Sequence, residues 1–104
     1  MIITTTETIP NKEVTEILGI ARGSTVRAKS VASDFMAGLK NFVGGELDEY
    51  TRLQGNSREQ ALQRMRDDAV RLGADAIVNV RLTTSTITQG ASEILAYGTA
   101  VKLK

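Results

Sequence analysis

Tyr50, Leu53, Ser57, Ala61, Met65, Ala69 and Leu72 recur at spacings of three and four through one unbroken stretch. That spacing is one face of a 3.6-residue helix held over several turns. Leu62 widens the stripe, and Arg52, Gln63, Arg66 and Asp67 fall on the opposite, water-facing side. Oppositely charged residues stand at helical spacing: Asp48 with Arg52, Arg64 with Asp68, Asp67 with Arg71. Each exposed pair of this kind contributes only about 0.2–0.5 kcal/mol. Glu46, Asp48 and Glu49 load the first turn with negative charge and Arg71 sits in the last, both matched to the helix dipole. Gly73 is the expected stop, because glycine reaches the left-handed conformation cheaply. Gly55-Asn56 is the weak point, where Asn56 or Ser57 could cap a second helix. The stripe keeps its phase across that point, which favours one helix.

After the stop, Ala74 to Leu82 changes period. Ile77, Val78 and Val80 are β-branched, and the run opens apolar on both faces. That predicts a central strand covered on both sides. A short chain rarely supplies both covers alone, so the run also predicts a partner subunit.

The chain has 104 residues, which suits a single domain over 1–104 with one real core. Its formal net charge is +1, with both signs interspersed and few aromatic rings. A nucleic-acid surface needs clustered Lys and Arg, often with stacking rings, so none is expected. There is no cysteine and no histidine. Disulfides, thiolate chemistry, zinc fingers and imidazole bases are thereby excluded. No apolar run reaches membrane-spanning length, and the N-terminus lacks a basic-then-apolar leader pattern. The expectation is a soluble cytoplasmic protein with no membrane partner.

In chain order, Ile2 to Thr6 reads as a short strand. Ile9-Pro10-Asn11-Lys12 is a turn, since proline presets its first central position and asparagine tolerates the second. A strand follows from Val14 to Val26, carrying Val14, Ile17, Leu18, Ile20 and Val26. Its alternation slips at Gly19, which predicts a bulge, and Gly23 marks a bend or a close backbone approach. Ser33 caps a short helix over 34–42 with Phe35, Leu39 and Phe42 on its apolar face. Gly44-Gly45 turns the chain into the long helix. Thr83 to Ser92 reads as a hairpin turning at Gln89-Gly90. The last strand runs from Glu93 to Leu103. Leu95, Tyr97, Thr99, Val101 and Leu103 point one way, and Ala96, Gly98 and Ala100 the other.

These pieces in this order resemble a known family. Asp34-Phe35, Gly38-Leu39, Val43-Gly44-Gly45-Glu46, Tyr50, the Ala61/Met65/Ala69 face, Leu72-Gly73-Ala74-Asp75-Ala76-Ile77-Val78 and Gly98-Thr99-Ala100-Val101 are similar to the YbjQ-like family. That family is small, bacterial and archaeal, biochemically uncharacterised, and labelled as a heavy-metal-binding domain. The resemblance spans essentially the whole chain. It implies an α+β subunit of dodecin-like β-α-β-β arrangement, with an antiparallel sheet, one long helix and one short helix. It also implies assembly as a ring-shaped homopentamer. It implies no substrate.

Three candidate sites follow from the residues. The Gly44-Gly45 pair with Glu46 places backbone N–H groups at a helix start, which attracts anions. The same turn already holds Glu46, Asp48 and Glu49, and no lysine follows as in a phosphate loop, so a tight helix–helix turn explains it more simply. Asp34, Glu46, Asp48 and Glu49 offer oxygen ligands to a hard cation such as calcium or magnesium. Soft metals require thiolate or imidazole, which this chain lacks. A capping residue and a solvated acidic turn account for those carboxylates without a metal. Tyr50 lies on the apolar face beside the glycine turn, where its hydroxyl could orient a ligand or simply find one partner. Asp75, after the helix stop, reads as a turn or strand-start residue. Ser24, Ser30 and Ser33 have no histidine to activate them.

The sequence therefore predicts a non-enzymatic homo-oligomer in a structural or small-ligand-binding role, with no cofactor. Asp34, Gly44, Gly45, Glu46 and Tyr50 are its candidate ligand residues. The alternative is a hard-metal or anion binder with its site near Gly44-Gly45 or between subunits. A third class, an acid–base enzyme using Asp34, Glu46 and Tyr50, has no supporting motif. Subunits are expected to join by edge-strand pairing through Ile2–Thr6 or the Thr83–Thr88 hairpin, because such edges are otherwise unprotected.

Overall fold

A computed structural model describes residues 1–27 and 45–104, and the side chains of 45–54 lie outside that description. Four strands and one helix follow in the order β1 (Ile2–Ile3), β2 (Val14–Arg27), α1 (Gly45–Leu72), β3 (Ala76–Thr88) and β4 (Ala91–Leu103). The expected short helix over 34–42 lies outside the described residues, as does Gly44.

The helix is continuous through Gly55-Asn56. It ends as its sequence dictates. Gly73 takes φ 81°, its N–H donates to the Val70 carbonyl at 3.0 Å, and the Ala74 N–H donates to the Ala69 carbonyl at 3.0 Å. That pair of bonds satisfies carbonyls the last turn leaves unpaired.

The sheet order is β1-β3-β4-β2. β4 runs antiparallel to both neighbours, but β1 lies parallel to β3, so the sheet is mixed and not purely antiparallel. The reason is the path of the first residues. They run beside β3 and then leave through the Ile9–Lys12 turn, where Asn11 takes φ 63° and Lys12 N donates to Ile9 O at 3.1 Å. The regular strand is shorter than Ile2–Thr6, yet Thr4 and Thr6 still bond to the backbone of Ile77, Asn79 and Val80. The bulge at Gly19 is present as a register shift between Ile17 and Gly19, with Gly19 at φ 129°. A second shift falls between Val78 and Arg81, where Asn79 takes φ 55°.

The core forms where α1 crosses the small-residue side of the sheet. Ala61, Met65 and Ala69 pack with Ala21, Ile77, Val80, Ile94, Ala96 and Ala100. Ser57 is buried with them, whereas Leu72 at the end of the stripe is 39% exposed. Gly23 permits the contact. A Cβ there would stand 2.5 Å from the Ala61 carbonyl oxygen and 2.6 Å from the Arg64 carbonyl carbon. On the other face, Ile9 and Leu103 close over Ala76, Val78 and Val101. On that face the chain itself supplies part of the second cover of Ala76–Val80, from Ile9 of its first residues and Leu103 of β4.

Candidate functional site

The predicted ligand residues are not brought into a described site. Gly45 is the first residue of α1, and Glu46 and Tyr50 lie one turn apart on its first turns. The side chains of Glu46 and Tyr50, together with Asp34 and Gly44, lie outside the described residues. Among the described residues there is no group of three or more His, Cys, Asp or Glu that could hold a metal. Among them, too, no helix is long and apolar enough to cross a membrane.

What the described residues do present is an apolar sheet surface away from α1. Strand alternation turns Ala21, Gly23 and Thr25 inward, where they are buried. The intervening residues are left outside. Ile20 is 66% exposed and Val26 52%, and beyond the Gly19 bulge Ile17 is 71% exposed. Register places Ile17 opposite Val101, Ile20 opposite Thr99 and Arg22 opposite Tyr97. Tyr97 is itself 38% exposed and Leu95 is half-buried, so the patch continues across β4. Contiguous exposed apolar surface of this kind marks interfaces more often than isolated residues do.

Polar groups of α1 hold the middle of β2. Asp68 Oδ2 accepts the Arg22 main-chain N–H at 3.0 Å, and Arg64 Nη1 donates to the Ser24 carbonyl at 2.5 Å. Arg71 donates to Asp68 Oδ1 at 2.8 Å. The Arg22 N–H, with the Arg71 guanidinium beside it, holds the Asp68 carboxyl below its ordinary range against a smaller opposing effect of burial. Further along, Thr25 Oγ1 donates to the Ser57 carbonyl at 3.3 Å and Arg27 Nε donates to Ser57 Oγ at 2.8 Å.

Two of the expected helical ion pairs are corrected by this arrangement. Arg64 does not pair with Asp68, and Asp67 takes Gln63 Nε2 at 3.1 Å in place of Arg71. For Arg64 and Asp68 the physical reason is β2: its edge offers an N–H and a C=O, which compete better than an exposed i,i+4 contact, and Arg71 then follows Asp68 in place of Asp67. Sequence spacing alone carries no signal for these cross-element bonds. Asp75 is a strand-start residue as read, accepting the Leu103 N–H at 2.9 Å.

Comparison with known proteins places the chain. The model of the family described as "Putative heavy-metal-binding" matches residues 1–104. A UPF0145 protein of Archaeoglobus fulgidus is 61% identical over 100% of this chain and 96% of its own length. One from Methanosarcina acetivorans is 57% identical, covering 99% and 97%, and one from Vibrio campbellii is 55% identical, covering 99% of each. A crystal structure of a protein of unknown function from Pediococcus pentosaceus superposes with a TM-score of 0.65 at 15% identity, covering 100% of this chain and 98% of that one. At that identity the likeness shows the fold alone. The chain belongs to the YbjQ-like family, that of the UPF0145 proteins.

Proposed function

We propose that this chain works as a non-enzymatic homo-oligomer of the cytoplasm, in a structural or small-ligand-binding role. The observation that carries the reading is the bare β2/β4 surface, with Ile17 at 71%, Ile20 at 66% and Val26 at 52% exposure. Each such side chain taken out of water contributes about 1.5–3 kcal/mol. A second copy that covers them supplies a large driving force. The pentameric ring is the geometry the family resemblance implies, and it requires a head-to-tail contact that closes.

An acid–base enzyme gains no support from the described residues. Asp68 is held ionised, the wrong direction for a general acid at neutral pH. A metal-binding role draws on the family's description, and its oxygen ligands would come from Asp34 and the acidic first turn of α1 or from a site between subunits. Native mass spectrometry of protein taken from cells tests both parts together. The expected spectrum shows a multiple of the 11.2 kDa chain. A retained metal or organic mass would name the ligand class, and a bare monomer would overturn the proposal.

A further inference from the structure

Among the described residues, the distal half of β3 is paired on its β4 side alone. Residues 81–90 are exposed throughout. α1 lies mainly over β2 and β4 and barely reaches β3. β1 and residues 4–6 occupy the outer edge of β3 only as far as Val80, with Arg81 Nη1 reaching back to the Thr5 carbonyl at 3.0 Å. Past that point Leu82–Thr88 reads LTTSTIT, with no charge, no proline and no glycine. Natural edge strands are blunted by charge or proline, and this edge of the β3-β4-β2 sheet carries neither.

The opposite edge of the same sheet shows the contrast. β2 is guarded at Arg22 and Ser24 by Asp68 and Arg64. Before the guarded part, Val14–Ile20 has no such cover among the described residues, and its Ile17 and Ile20 are exposed. The two bare edges lie on opposite sides of the order β1-β3-β4-β2. The Cα radius of gyration is 17.0 Å, with a longest extent of 55 Å. A compact chain of this length has a radius of about 13 Å.

We infer that Leu82–Thr88 adds as a strand to the Val14–Ile20 edge of a second copy of this chain, continuing the sheet from subunit to subunit. The inference deepens the proposed assembly and rests on it. A second copy is the occupant because one chain carries both halves of the contact, each largely exposed among the described residues and each with exposed large apolar side chains, Leu82 and Ile87 on one and Ile17 and Ile20 on the other. The main-chain groups of one edge satisfy those of the other. A two-fold pairing of β3 with β3 would leave the β2 edge open, whereas the head-to-tail contact closes both.

The absence of cysteine makes the test clean. Ile17→Cys and Ser85→Cys variants are mixed, allowed to exchange subunits, and treated with a short bismaleimide. Thr15→Cys repeats the experiment one strand repeat away. Covalent dimers between the two different variants should dominate over dimers of either alone. Separately, Thr86→Lys places a charge on the edge and should reduce the mass to a monomer while the far-ultraviolet circular dichroism stays unchanged. A Ser85→Cys variant that links mainly to itself overturns the inference in favour of two-fold pairing. An assembled Thr86→Lys protein without mixed cross-links overturns it while leaving assembly intact. A monomeric parent protein overturns both.

Discussion

Asp68 on α1 accepts the main-chain N–H of Arg22 on β2 at 3.0 Å, so a helix side chain closes part of a sheet edge. The bond belongs to the ionised carboxylate, and it lowers the Asp68 pKa from its ordinary value of 3.8. A lowered folded-state pKa gives stability that is complete above the unfolded carboxylate value. It is lost as pH falls through the folded one. Asp68→Asn keeps an acceptor for the Arg22 N–H but loses the charge that strengthens it and pairs with Arg71, so it should lower stability at neutral pH by up to about 1 kcal/mol. In urea melts followed across acid pH, the variant should lose less stability than the parent over the carboxylate range. Parallel curves would show that this carboxylate is not coupled to folding.

Two glycines separate close approach from free space. Gly23→Ala drives a methyl group into the backbone of Ala61 and Arg64, atoms that cannot rotate away. Overpacking of this kind costs about 1–3 kcal/mol or more. Gly55→Ala meets only the far end of Arg58 at 3.9 Å, inside a continuous helix. It should raise stability by roughly 0.5–1 kcal/mol. Thermal melts of the two variants should move in opposite directions.

The helix face gives a matched pair. Ala69 is 0% exposed against the core cluster, so Ala69→Arg should prevent folding or leave aggregates. Arg66 is half-buried, and its recorded bond is a long one, 3.5 Å from Nη1 to Gln63 Oε1. Arg66→Ala should change stability by less than about 1 kcal/mol, including some lost stem packing. The reverse ranking by circular dichroism melts would put the helix in the wrong phase.

How much of this was legible follows from the physics of each element. The Ser57/Ala61/Met65/Ala69 face, the Gly73 stop, the Asn11 turn, the Gly19 bulge and the Gly90 turn all rest on local spacing or on backbone conformations few residues accept. A linear sequence displays such features directly. The parallel pairing of β1 with β3, and the cover that Ile9 gives Val78, rest on contacts between residues far apart in the chain. No local pattern encodes those. The same holds for Asp68 and Arg64, whose helical spacing suggested each other while β2 claimed both. The ligand residues Asp34, Gly44, Gly45, Glu46 and Tyr50 remain a sequence expectation.

The ligand set bears on metal selectivity. With no cysteine and no histidine, the chain offers neither thiolate nor imidazole, and its only sulfur is the thioether of three methionines. Zinc, copper and cadmium favour sulfur and imidazole. Isothermal titration of chelator-treated protein should show no stoichiometric heat for these metals at micromolar concentration. A saturable soft-metal site, one per subunit, would contradict this account of the donors.

The most direct measurement is the mass in solution by light scattering coupled to size exclusion. The Ile17, Ile20, Val26 and Tyr97 surface predicts an assembly, a multiple of 11.2 kDa, and the proposed ring predicts five copies. A dimer would keep the bare-surface argument and discard the ring. A monomer at micromolar concentration would contradict the central claim, because the exposed sheet would then be stable in water without a partner.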